Sequence, residues 1–184
     1  MTSLKTLVEN FQEVHYPRVI RNSNSYIQSE EFIKGEISRL LGMYEKLTTV
    51  NQTARLIRDG IDMYLRRYHG YSIEGNIGSH YRQKDVTADV CDFEHVIPQA
   101  KIRDLLIQQR ITIDQAMNPP TCLIHKDLHR TLKEEGWASK TPDIYYFWRR
   151  YTNIFNIEIE VFNGRSIDTS SWNLDDHYSY FSIT

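Results

Sequence analysis

The sequence has few of the residues that stabilise proteins without a large core. Of its 184 residues, two are cysteine, eight are glycine and five are proline. Cys91 and Cys122 are too few for a disulfide scaffold, and they do not form the paired C-x-x-C motifs of a zinc fold. Because 40% of the residues are apolar, a chain of this length can bury a core of its own. We therefore expect a globular protein that needs neither disulfides nor structural zinc.

Long apolar runs are also missing. No stretch approaches the roughly 20 apolar residues of a membrane-spanning helix, and the first residues lack the apolar centre of a secretory signal. We expect an intracellular, cytoplasmic protein that has no membrane partner.

The net charge of −2 hides an uneven distribution. Residues 55–84 carry six basic and three acidic residues and 101–150 carry nine and six, whereas 85–100 carry four acidic residues and none that is basic. Basic flanks could hold the phosphates of a polyanion while the carboxylates hold a cation. Chance variation on a solvated surface is the alternative, and the charge pattern does not separate the two.

Hydrophobic periodicity predicts helices at the start of the chain and a mixed structure after them. After a leading segment ending near Pro17 and a polar loop at 22–25, two helices are predicted, at 29–47 with Ser29 as N-cap and at 53–68, and they would form a hairpin. After a glycine-rich loop at 70–78, the predicted elements are a strand at 86–94, a helix at 100–110, a strand at 121–124, a helix at 125–135 closed by Gly136, an aromatic-rich helix at 143–154 and a half-exposed strand at 157–161. The neighbouring aromatic residues are candidates for the core, with a base-stacking surface as the alternative: Tyr145, Tyr146, Phe147 and Trp148.

The residues that carry chemistry lie in two blocks, Asp92 to Pro98 and Asn118 to His129. Glu94 and His95 are adjacent at the end of a predicted strand, so their side chains point to opposite faces. One of them can then bind an ion while the other acts on water. His125 and His129 are four residues apart, which predicts one shared helix face where both could bind a cation or a phosphate. Asp92 shares the strand face of Glu94 and could assist.

These blocks resemble the ββα-metal motif of the His-Asn-His (HNH) endonucleases. That motif has a strand ending in an acidic residue or histidine before a histidine, then Val/Ile-Ile/Val-Pro, an asparagine, and a helix with one or two histidines. Glu94-His95-Val96-Ile97-Pro98 matches its first block, and the resemblance covers about residues 86–136. It is similar to the phage-type members, which include junction-resolving and homing endonucleases, and it implies an enzyme that could act in a phage-infected host.

The resemblance implies a metal-dependent endonuclease that hydrolyses DNA phosphodiester bonds. His95 would be the general base, Glu94 would bind the metal, and Asn118 would bind the metal or orient His95. His129 would complete the metal or phosphate site, with His125 as the alternative. A carboxylate and an asparagine favour Mg²⁺ or Mn²⁺, whereas two histidines would favour Zn²⁺ or Ni²⁺. Double-stranded DNA would be the partner, and a homodimer is one way in which both strands could be cut.

The fold expected from these patterns is α+β. It would be a mainly helical domain built around a ββα-metal nuclease core. Residues 1–85 would form a helical region for DNA binding or dimerisation, 86–136 the core, and 137–184 a C-terminal helix and strand extension. Basic residues near the core are candidates for contacts with DNA phosphates: Arg66, Arg67, Arg82, Lys84, Arg103, Lys126 and Arg130.

Other functions fit the same residues. Asn118 precedes a proline, which is typical of a turn, and His95 could be a half-buried strand histidine bonded to a carbonyl. One alternative is therefore a non-catalytic nucleic-acid-binding protein that keeps the ββα-metal scaffold. Another is an interaction protein in which the histidine cluster is structural.

Overall fold

The structure is a computed structural model that describes residues 24–47, 49, 52–70, 79–162 and 164–184. The predicted leading segment and almost all of the glycine-rich loop at 70–78 lie outside the described residues. The described chain forms seven α-helices, one short 3₁₀-helix and five strands, so the predicted α+β class is confirmed. None of its helices is both long enough and apolar enough to cross a membrane.

The helices are α1 (Asn24–Glu45), α2 (Gln52–His69), α3 (Gln99–Ile107), α4 (Ile113–Met117), α5 (Lys126–Glu134), α6 (Arg149–Thr152) and α7 (Leu174–Tyr180), and the 3₁₀-helix is Ala88–Val90. The strands are β1 (Tyr81–Gln83), β2 (Cys91–His95), β3 (Thr121–His125), β4 (Ile159–Val161) and β5 (Ser166–Ile167).

The predicted helical hairpin is confirmed, with longer helices. α1 begins at Asn24, so Ser29 lies inside the helix and its prediction as N-cap is wrong. Ile37 of α1 and Ile61 of α2 are fully buried in the core. Gly60 lies where the helices approach closely, because a Cβ at this position would be 3.2 Å from Leu40 Cδ1.

The five strands form one mixed sheet in the order β2-β3-β1-β4-β5. β1 pairs parallel with β3, and the other neighbours are antiparallel. β2 is an edge strand of this sheet, and its His95 lies opposite Thr121 of β3. The helix that directly follows β3, α5, packs on both β2 and β3. The chain therefore has two antiparallel strands followed by a helix in the predicted core region.

Several predicted bounds are wrong for local reasons. The strand predicted from residue 86 starts at Cys91, because Ala88–Val90 forms a 3₁₀-helix. The region predicted as a helix at 143–154 is mostly turns, since Asp143 Oδ1 accepts hydrogen bonds from the backbone N–H groups of Tyr145 and Tyr146. β4 is buried along its whole length rather than half-exposed.

The core joins parts of all three predicted regions. One cluster of buried side chains includes Ile37 of the hairpin, Val96 after β2 and Tyr178 of α7. Phe147 and Trp148 are fully buried in it, which confirms their prediction as core residues. Tyr145 is 42% exposed, so the same prediction is wrong for that residue.

Candidate functional site

Glu94 and His95 occupy the end of the edge strand β2 and serve opposite faces of the sheet, as adjacent strand residues must. Glu94 contacts His129 of α5 and Arg150 of α6. His95 contacts His69 at the end of α2. A carboxylate and an imidazole are therefore held at the same strand end by different helices.

On the Glu94 face, two carboxylates and an imidazole form one chain of contacts. His129 Nδ1 is 2.9 Å from Asp92 Oδ2, and His129 Nε2 is 3.0 Å from Glu94 Oε2. Glu94 and His129 are largely buried, with 12% and 18% of their side chains exposed. Ionised carboxylates only accept hydrogen bonds, so the imidazole bonds both of them only when both ring nitrogens carry a proton.

Arg150 neutralises Glu94 and fixes the backbone at the strand end. Its Nη1 is 2.8 Å from Glu94 Oε1, and only 1% of its side chain is exposed. Its guanidinium also donates hydrogen bonds to four backbone carbonyls, those of His95, Val96, Trp137 and Ala138. A charged group this deeply buried is expected to be fully bonded, and Arg150 is.

On the opposite face, His95 and His69 form a histidine pair. His95 Nε2 lies 2.8 Å from His69 Nδ1, and His69 Nε2 lies 3.1 Å from the carbonyl oxygen of Ala116 in α4. His69 is 2% exposed, whereas His95 is half-buried. The His95 ring also packs edge-to-face against the ring of Phe93, with 5.2 Å between the ring centroids.

His95 is neutral near pH 7. Burial, together with the positive charges of Arg66 and Arg150, lowers the pKa of His95 to about 4. A general base must be unprotonated before it can accept a proton, and His95 meets this condition.

The structure places Asn118 and His125 away from these contacts. Asn118 ends α4, where its Nδ2 donates to the carbonyl of Asp114. His125 is the last residue of β3 and the N-cap of α5, and its Nδ1 accepts a hydrogen bond from the Asp127 backbone N–H. His125 therefore does not lie on the helix face of His129, and that expectation is wrong. Its strand partner is Cys91, so alternation directs His125 to the face opposite Glu94.

A metal site is not preformed in the part of the chain that the structure describes, where no group of three or more His, Cys, Asp or Glu side chains is arranged to hold an ion. Asp92, Glu94 and His129 instead bond one another. Two carboxylates and one neutral imidazole are a donor set that suits a divalent cation.

Most of the basic residues predicted to contact DNA phosphates already bind partners within the protein. The observed pairs are Arg66 with Asp62, Arg82 with Glu160, Lys84 with Glu158, Arg103 with Asp62 and Asp104, Arg130 with Asp127 and Glu134, and Lys126 with the Asp89 carbonyl. Arg67 is exposed, and no carboxylate among the described residues contacts it. Arg66 and Arg67 lie in the last turn of α2, beside His69, so they are the predicted cations nearest to His95 along that helix.

The same turn borders an open groove of about 1060 Å³ between α1 and α2. Its lining includes Phe32, Met63 and Tyr64 as well as Arg66 and Arg67. The groove therefore places apolar and cationic groups side by side along the two helices.

Sequence reasoning missed His69 and Arg150. His69 lies outside the predicted blocks and carries no motif, so its role depends on the tertiary contact with β2. Arg150 was visible as one of two adjacent arginines after an aromatic run, but only the fold shows that Arg150 is buried and Arg149 is half exposed.

Comparisons with known proteins do not identify the chain: no protein-family model matches it, and no curated protein or solved structure does.

Proposed function

We propose that the protein is a metal-dependent endonuclease that hydrolyses phosphodiester bonds in double-stranded DNA. The observation that supports the proposal is the end of β2. There, the neutral His95 and Glu94 are adjacent residues of an edge strand, and Glu94 belongs to a cluster with Asp92 and His129. The order of two antiparallel strands and a helix agrees with the ββα core that the resemblance to His-Asn-His (HNH) endonucleases implies.

His95 acts as the general base in the proposed reaction. It accepts a proton from the water that attacks phosphorus, the bond from phosphorus to the 3′ oxygen breaks, and the 3′ oxygen takes up a proton from solvent. A bound divalent cation would neutralise the charge that develops on the phosphate and the leaving oxygen.

Glu94 is the proposed principal metal ligand, with Asp92 and His129 beside it. The carboxylates suit Mg²⁺ or Mn²⁺, and participation of the imidazole shifts the preference towards Zn²⁺ or Ni²⁺. Asn118 as a further ligand stays a prediction, because its described side-chain contact is with Asp114.

Arg66 and Arg67 are proposed to hold the DNA backbone near His95. Their position in the last turn of α2 brings positive charge to the face on which the base lies. One such site cuts one strand, so a monomer nicks DNA and a homodimer would be needed to cut both strands together.

The proposal is tested with purified protein and two DNA substrates, a supercoiled plasmid and a four-way junction. Each is incubated in EDTA, Mg²⁺, Mn²⁺, Ni²⁺ or Zn²⁺, and a gel separates nicked from linear products. The wild-type protein should nick only with metal, and His95→Ala should lower the rate by about 10²- to 10⁴-fold. Circular dichroism checks that the variant is folded.

His80→Gln is the matched control. His80 is another buried histidine, and its Nδ1 bonds the Oγ1 of Thr121. Thr121 is the residue of β3 that lies opposite His95. It should cut at the wild-type rate. Equal cleavage by His95→Ala would contradict the mechanism, and no metal-dependent cleavage of either substrate would contradict the function.

A non-catalytic nucleic-acid-binding protein is the second candidate. It is favoured by the internal neutralisation of Glu94, whose two carboxylate oxygens already contact His129 and Arg150. This function predicts DNA binding that a chelator does not change, with no strand cleavage in any metal.

A further inference from the structure

The histidine pair at the end of β2 defines which nitrogen of His95 carries a proton. The carbonyl oxygen of Ala116 can only accept a hydrogen bond, so His69 Nε2, 3.1 Å away, must be the donor. When His69 is neutral, its other ring nitrogen, Nδ1, has no proton and is an acceptor. The nitrogen that faces it at 2.8 Å, His95 Nε2, must then donate.

We infer that His69 is the positioning residue that holds His95 in the tautomer with the proton on Nε2. The Nδ1 of His95 is then its unprotonated nitrogen. No described residue is bonded to His95 Nδ1, so this nitrogen is left to accept the proton of the attacking water. His69 thus specifies both the orientation of the ring and the atom that accepts the proton.

The fold makes this arrangement stiff. His69 is the last residue of the 18-residue helix α2 and is 2% exposed, while Ala116 lies fully buried in α4. The chain Ala116–His69–His95 therefore links two helices to the end of β2 through two hydrogen bonds. The same contact also satisfies the backbone of α4. The residue four positions after Ala116 is Pro120, which has no backbone N–H to donate to the Ala116 carbonyl, and His69 donates to that carbonyl instead.

This inference refines the proposed function, and its catalytic consequence rests on that function. A histidine in the wrong tautomer presents a protonated nitrogen to the water and cannot accept its proton. The tautomer itself is a property of the folded protein and is measurable without any activity.

The first experiment measures the tautomer by NMR. Protein labelled with ¹⁵N in histidine is studied at pH 7 by two-bond ¹H–¹⁵N correlation, which distinguishes a protonated from an unprotonated ring nitrogen. The His95 signals are assigned by their loss in His95→Gln. The wild-type protein should show His95 protonated on Nε2 alone, and His69→Ala should show a mixture of both tautomers.

His69→Asn provides the conservative replacement. The Oδ1 of asparagine occupies the position of the histidine Nδ1, so it can accept from His95 Nε2 and preserve the tautomer. Tyr178→Phe is the control for stability, because Tyr178 donates to the Gln115 carbonyl of α4 in the same way that His69 serves Ala116. It should leave the His95 signals unchanged.

The second experiment measures the kinetics of plasmid nicking. His69→Ala should lower kcat by about 10- to 100-fold with KM unchanged, as is typical when a supporting partner of a functional histidine is removed. His69→Asn should recover most of the rate, and Tyr178→Phe should nick like the wild-type protein.

The outcomes separate the two proposals. A wild-type His95 protonated on Nδ1, or a tautomer unchanged in His69→Ala, overturns the inference whether or not the protein cuts DNA. Loss of kcat in His69→Asn as large as in His69→Ala also overturns it. The predicted NMR result in a protein that never nicks supports the role of His69 and refutes the nuclease.

Discussion

Arg150 Nη1 lies 2.8 Å from Glu94 Oε1 and, at the same distance, from the carbonyl oxygen of His95. One buried guanidinium thus compensates the carboxylate and holds the backbone of the adjacent histidine. The pair joins the C-terminal part of the chain to the end of β2. The stability of the protein and the geometry of its candidate site therefore depend on the same side chain.

Replacement of Arg150 should be severely destabilising. Arg150→Met leaves Glu94 as a buried carboxylate without its cation and removes the donors of several backbone carbonyls, which costs about 3–5 kcal/mol. Urea denaturation of the two proteins measures the difference in the free energy of unfolding.

Arg149→Met is the neighbouring control. Arg149 is half exposed, pairs with Asp143 and lies over the ring of Tyr146, so its loss should cost no more than about 1 kcal/mol. Equal destabilisation by the two substitutions would show that Arg150 does not have the role described.

The stability of the protein should fall as the pH is lowered from about 6.5 towards 4. Burial lowers the pKa of His177 to about 4, whereas a histidine in the unfolded chain titrates near 6.5. In this window the unfolded state binds a proton that the folded state does not, so acid favours unfolding. His95, whose pKa is lowered in the same direction, adds to the effect.

The contribution of His177 can be isolated by substitution. His177→Gln should reduce the slope of unfolding free energy against pH, between pH 6.5 and 5, by up to about 1.4 kcal/mol per pH unit. Tyr81→Phe removes the hydroxyl that bonds His177 Nδ1 but keeps the titrating ring. It should lower stability at every pH and keep a steep slope, and a slope unchanged in His177→Gln would refute this explanation.

Divalent cations should stabilise the folded protein through Glu94. If Mn²⁺ binds the folded state alone, a concentration one hundred times the Kd adds about 2.7 kcal/mol to the unfolding free energy. Glu94→Gln should abolish this gain, measured as the shift of the denaturation midpoint between EDTA and MnCl₂. In Glu158→Gln, which alters an exposed carboxylate paired with Lys84, the gain should persist. A gain retained in Glu94→Gln would place the cation elsewhere.

Basic residues should differ in their effect on DNA binding according to their partners. Arg67→Gln should weaken binding and reduce the salt slope by about 1, because an exposed arginine releases a counterion when it meets a phosphate. Arg82→Gln should have a smaller effect, since Glu160 already holds that guanidinium. Fluorescence anisotropy at several salt concentrations measures both slopes, and a larger loss in Arg82→Gln would contradict the role given to α2.

The sequence was informative where local patterns determine structure. The periodicity of α1 and α2 predicted the hairpin, and the short run Thr121–Ile124 predicted β3 to within one residue. Gly136, with φ +74°, ends the region of α5 as predicted from a glycine after a helix. Alternation along β2 also predicted that Glu94 and His95 would serve different faces.

The features that the sequence did not predict depend on contacts between segments that are distant in the chain. The sequence does not distinguish Arg149 from Arg150. Arg150 is buried because of the turn at Asp143 and the backbone carbonyls that surround its guanidinium. His69 and His95 are 26 residues apart in the sequence, with β1 between them, so no spacing rule relates them. The pairing of His125 and His129 failed because α5 begins one residue after His125.

The position of β3 has a consequence for how the protein folds. Among the described strands, β3 alone pairs with both β2 and β1, and β1 meets β4 only across a much longer stretch of chain. Closing the β2–β3 loop costs less entropy than closing the β1–β4 loop, so β2, β3 and α5 can form before β1 pairs with β4. β3 would then be the template on which the β1 side of the sheet assembles. A slow phase in refolding should accordingly report completion of β1 and β4, after the strand that carries His95 is in place.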